Sequence, residues 1–89
     1  MRDYVHEHFA KYPDRHVRPI IVCEDGMAYS VQASDTHYCS PREKGAERYG
    51  AVEVWAINKN GKYGGGGPEG WVDVTLVNRR IHKHGGPAE

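Results

Sequence analysis

The sequence predicts an α+β fold: a three- or four-stranded antiparallel sheet, a C-terminal helix packed on one face, and a short N-terminal helix. Three observations carry this. Asp25-Gly26 sits between two apolar runs and marks a hairpin over residues 18–34. Residues 50–58, GAVEVWAIN, alternate in character as a half-buried strand does. Residues 73–84 open on an aspartate, repeat apolar side chains at helical spacing, and are followed by Gly85-Gly86. Strands gathered in the middle with helices outside them give segregated α+β layers around one core. At 89 residues the chain is read as one domain, 1–89.

The N-terminal helix is expected over residues 3–12. Asp3 is its N-cap, Tyr4, Val5, Phe9 and Tyr12 form its stripe, and Pro13 stops it. A helix of this length is marginal alone and must dock. With Asp25 and Gly26 as a two-residue turn, Val22 faces Tyr29 and Ile20 faces Val31. Ile20, Val22, Tyr29 and Val31 then form the core face, with Ile21 and Cys23 on the other. Residues 35–50 read as a long polar loop. In the third strand Val52, Val54 and Ala56 share one face, and Glu53, Trp55 and Ile57 the other. Residues 61–70 hold six glycines and read as flexible, after which Trp71 and Val72 add a short fourth strand. In the last helix Asp73 is the N-cap, Val74, Val77 and Ile81 are buried, and the basic C-terminal end suits the helix dipole.

Composition removes whole classes of function. Twelve basic and twelve acidic side chains give zero net charge with histidines neutral, which argues against binding driven by bulk charge. No apolar run reaches membrane-spanning length, so a cytoplasmic protein is expected. Cys23 and Cys39 are too few for a disulfide framework and read as free thiols.

Chemistry could reside in SDTHYCSPRE, residues 34–43, where His37, Tyr38 and Cys39 adjoin. His37 and Cys39 are weak zinc candidates, because no second close pair accompanies them. His37 lies two residues and Arg42 three residues from Cys39, and nearby positive charge activates a thiol, but a cysteine enzyme also needs a positioned base, an oxyanion hole and a cleft. The stretch instead reads as a loop leaving the second hairpin strand, with His37 and Cys39 both turned toward the core and Tyr38 opposite. The glycine run formally contains G-x-G-x-x-G, but Pro68 interrupts it and no βαβ unit surrounds it.

Two blocks, SVQASDTHYCSPRE leading to AVEV and the ending WVDVTLVNRRIHKHGG, are similar to small uncharacterised proteins of bacteria and their phages. Those proteins carry an H-Y-C-x-P-R loop and a last helix ending in H-G-G. The resemblance covers residues 26–86 and implies no assigned activity. In size alone the chain resembles anti-CRISPR inhibitors.

The function expected is therefore non-enzymatic, with no cofactor. It is a phage or mobile-element protein that binds a protein partner, such as a bacterial defence complex. Arg42, Arg48, Tyr49, Tyr63, Arg79 and Arg80 are the expected contact residues, on the 35–49 loop, the 59–70 loop and the basic face of the last helix. The alternatives are a nucleic-acid-binding accessory protein, using that basic helix with Tyr38, Tyr49, Tyr63, Trp55 and Trp71 as stacking groups, and a zinc-stabilised module around His37 and Cys39. An exposed strand edge leaves a homodimer open.

Overall fold

The computed structural model describes residues 2–13 and 15–88. The chain runs α1 (Tyr4–Lys11), β1 (Ile21–Val22), β2 (Ala28–Gln32), β3 (Ala51–Ile57), β4 (Glu69–Asp73) and α2 (Val74–Lys83). The strands form one antiparallel sheet in the order β1-β2-β3-β4, each paired with its sequence neighbour. This is the α+β architecture the sequence predicts, with the fourth strand longer than Trp71 and Val72 alone.

Both helices lie on the same sheet face. Tyr4, Val5 and Phe9 of α1 and Val74, Val77 and Ile81 of α2 join Ile21, Tyr29, Val31, Val52 and Val54 in a single core. The caps fall where the sequence puts them. Asp3 accepts the His6 amide, and Asp73 accepts the Thr75 amide. Asn78 fastens the helices together: its side-chain oxygen accepts the Val5 amide at 3.0 Å and its nitrogen donates to Asp3 at 3.1 Å. Burial raises the Asp3 carboxyl, but the bonds from the His6 amide, Asn78 and the His6 ring outweigh it and hold the group below its ordinary value.

The hairpin register differs from the sequence expectation by one residue. Cys23, not Glu24, lies opposite Met27 and donates its N–H to Met27 O at 2.7 Å, so the loop is the three residues Glu24, Asp25 and Gly26. Asp25 accepts the Met27 amide, and Gly26 takes a φ of 92°, the left-handed position such loops close on. Ile21 therefore faces Tyr29 and Val22 faces Ala28. The slip reverses the faces of the first strand: Ile21 and Cys23 are buried, while Ile20 and Val22 point to solvent. The expected core pair Ile20 and Val22 is corrected accordingly.

The open edge expected of the sheet is also closed. Beyond β1, residues 86–88 run antiparallel to it: Cys23 bridges Pro87, Glu24 N–H donates to Gly86 O at 2.9 Å, and Ala88 N–H donates to Val22 O at 2.7 Å. The opposite edge, β4, is short and irregular. Val52 faces Val72 but Val54 faces Glu69, so Gly70 and Trp71 together oppose one residue of β3 in a bulge. Short, bulged edges resist pairing with another chain.

Arg18 is buried at 2% exposure and ties the end of α1 to the end of β2. Its guanidinium donates to the carbonyls of Tyr12 (3.0 Å), Pro13 (3.1 Å) and Ala33 (2.6 Å) and sits 4.0 Å over the Phe9 ring. The Gln32 amide pairs with the Arg18 backbone in both directions.

Candidate interaction surface

The sheet face opposite the helices carries Glu53 and Trp55, which alternate along β3 with the core residues Val52 and Val54. The loop after β2 arches over this face. Tyr38 N–H donates to the Glu53 carboxylate at 3.1 Å, and Tyr38 O accepts Trp71 N–H at 2.9 Å. The bulge makes the second bond possible by turning Trp71 N–H out of the ladder. Trp71 adopts φ 52°, a left-handed backbone at a bulky residue.

This geometry places two large aromatic rings in solvent. Trp71 is 58% exposed and Tyr38 50%, their centroids are 4.8 Å apart, and their planes differ by 24°. The Arg42 guanidinium lies 5.3 Å over the Tyr38 ring while donating to Thr36 O. Beside it on β3, Trp55 meets Tyr63 edge-on at 4.8 Å and donates to Gly64 O.

Gly70 is required for the stack. A β-carbon there would stand 2.8 Å from Tyr38 Cβ. Gly70→Ala is expected to push Tyr38 off Trp71. The check is tryptophan fluorescence in a Trp55→Phe background, which should shift while far-ultraviolet circular dichroism stays unchanged.

The expected contact residues do not converge on one patch. Arg42 belongs to the Tyr38–Trp71 stack, and Tyr63 lies with Trp55. Arg48 pairs with Asp3 at 3.2 Å, beside the start of α1. Tyr49 is corrected: at 3% exposure it is a core residue, edge-on to Phe9, with its hydroxyl donating to Glu43 O and its amide donating to His6 Nε2. Arg80 is held by Glu69 at 2.8 Å, whereas Arg79 is exposed on α2. Tyr38 and Trp71, which the sequence suggests only as stacking groups, are the most prominent exposed aromatics. A tryptophan directly after a glycine in a polar, glycine-rich segment is the one sequence signal for them.

The thiols are placed for packing. Cys39 is buried, and its Sγ donates to Ser34 O at 3.1 Å; burial pushes its pKa up, against a smaller opposing pull from Arg42. Burial, with Asp25 nearby, pushes Cys23 up to about 11. Both should resist iodoacetamide in native protein near pH 8 and react in full once it is unfolded, which mass spectrometry reads directly. Among the described residues, no three His, Cys, Asp or Glu side chains converge as a metal site would need. Nor is any helix among them long and apolar enough to cross a membrane. No family model, curated protein or solved structure matches this chain.

Proposed function

We propose that the protein is a binding module whose contact surface is the helix-free sheet face, centred on Trp71, Tyr38 and Arg42. One observation carries the reading: a tryptophan is held in solvent, on a strained backbone, by a loop that crosses the sheet to reach it. Backbone strain at a solvent-facing side chain is a cost that folding alone does not explain. Tryptophan, tyrosine and arginine are also the side chains that most often anchor protein interfaces.

The narrower reading is a phage or mobile-element protein that occludes a bacterial defence complex. It rests on the sequence resemblance and on size, and the gene neighbourhood tests it. Nucleic acid is the second reading, favoured by the same observation, because a stacked Tyr–Trp pair beside an arginine also suits unpaired bases. The test is capture of a partner by wild type compared with Trp71→Gly, repeated across a salt series. Loss of the partner in the variant with a shallow salt dependence supports protein contact, and a steep linear fall of log affinity with log salt supports nucleic acid. Equal capture by both proteins overturns the surface.

A further inference from the structure

We propose that the helix-free sheet face pairs with the same face of a second copy of this chain, in a weak two-fold dimer. Each protomer seats its Tyr38–Trp71 ridge on Ile20 and Val22 of the other. This names a partner for the surface proposed above and rests on that reading. Among the described residues seven large hydrophobic side chains are exposed, and five of them, Ile20, Val22, Tyr38, Tyr63 and Trp71, stand on this face. The strand pairing fixes their layout, because residues directly opposite in a sheet share a face. Val22, Ala28, Ile57 and Tyr63 make one row across it. Ser30 and Trp55 make the next, with Ile20, two residues from Val22, at its β1 side. Tyr38 and Trp71 rise at the β4 side, where Tyr38 N–H meets Glu53. The face thus carries a low aliphatic patch on one side and a raised ring pair on the other, with the short Ala28 and Ser30 between them.

That layout complements itself. A two-fold axis lying in the plane between two such faces, and passing between β2 and β3, carries the β4 side of each copy over the β1 side of the other. Each ridge then meets an aliphatic patch, and every contact occurs twice, as an isologous interface requires. An axis that stacked ridge on ridge would bring the two Arg42 guanidiniums together. The exchanged arrangement keeps them at opposite ends. Zero net charge leaves no overall repulsion between copies. The sheet edges offer no rival route, because the 86–88 strip covers β1 and the β4 edge is bulged.

The area is sufficient for a dimer and sets its strength. The five side chains together expose on the order of 500 Å², near the top of what a monomer leaves uncovered in one patch. Two copies bury about twice that, which reaches the roughly 1,000 Å² at which specific interfaces begin. An interface of this size lies at the weak end, so the dissociation constant should be on the order of 10–100 µM. The second copy and any other partner of this face then exclude each other, and another protein binds the monomer alone.

Sedimentation velocity of the free protein from about 5 µM to about 500 µM reads the dimer. The weight-average mass is expected to rise from 10.0 kDa toward twice that value. Trp71→Gly on the ridge and Ile20→Glu on the seat should each weaken association at least about 30-fold, with amide NMR spectra that still show the folded sheet. In a mixture of isotope-labelled and unlabelled wild type, intermolecular NOE contacts should join the Trp71 ring of one protomer to the Ile20 and Val22 methyls of the other. This reading depends on no variant. A mass of 10.0 kDa throughout, association as tight in both variants as in wild type, or contacts that join Trp71 to Trp71 overturns the exchanged dimer. Capture of another protein decides the surface separately. A monomer whose captured partner is lost in Trp71→Gly keeps the surface and loses the dimer. A dimer with the expected contacts that captures no other protein keeps the dimer and removes the foreign partner.

Discussion

Arg18→Met is expected to unfold about 3 kcal/mol more easily than wild type, because a buried acceptor at Ala33 and two partly buried carbonyls lose charge-assisted bonds together. Methionine fills a similar volume, so the loss measures the bonds more than a cavity. The effect is large because a domain of this size has only about 5–15 kcal/mol of stability in total. At roughly 4–8 °C per kcal/mol for a small domain, the melting temperature should drop by more than 10 °C. Arg18→Lys keeps the charge but not the fork that reaches three carbonyls, so it should recover only part of the loss. Urea unfolding of the three proteins decides this. A cost below about 1 kcal/mol for Arg18→Met would mean that water replaces the guanidinium freely.

Trp71→Gly should remove partner binding almost without touching stability. Three effects nearly cancel. Glycine relieves a left-handed backbone conformation that costs a side chain about 1–2 kcal/mol. It adds about 0.5–1 kcal/mol of chain entropy loss in a strand. It also forfeits a stack with Tyr38 worth about 0.5–1.5 kcal/mol. The net change lies between a loss of about 1.5 kcal/mol and a gain of about 1 kcal/mol. Trp71→Ala loses the same stack and keeps the strain, so alanine should be less stable than glycine, the reverse of the usual order within a strand. Affinity for the partner should fall at least about 30-fold in either variant, as for an interface anchor of 2 kcal/mol or more. Thermal melts rank the variants and titration with the captured partner reads the affinity. Alanine outranking glycine in stability would remove the strain on which the proposed surface depends.

Local chemistry made most of the fold legible. Asp25-Gly26 announced the hairpin, Asp73 and the spacing of Val74, Val77 and Ile81 announced α2, and Val52 and Val54 announced the inner face of β3. The register of β1 was not legible. Residues 20–23 are apolar throughout, so alternation does not choose a face, and one extra residue in the turn decides it. The burial of Tyr49 is hidden from the sequence for a different reason. Its neighbours are polar, and its burial comes from Phe9 and His6, far away in sequence. Arg42 and Tyr63 were legible as surface residues. The pairing of Tyr38 with Trp71 was not, since no sequence pattern signals a left-handed tryptophan.

The strip formed by residues 86–88 along β1 has a kinetic consequence. The meander β1-β2-β3-β4 pairs each strand with its neighbour in sequence, so it can assemble early in folding. The strand partner on the outer side of β1 lies at the far end of the sequence and arrives only after α2 has docked. Until then β1 presents unpaired amides and carbonyls beside an uncovered apolar face. Refolding should therefore lose material to aggregation as protein concentration rises, and the loss should be set during the interval before the strip closes rather than by the finished fold.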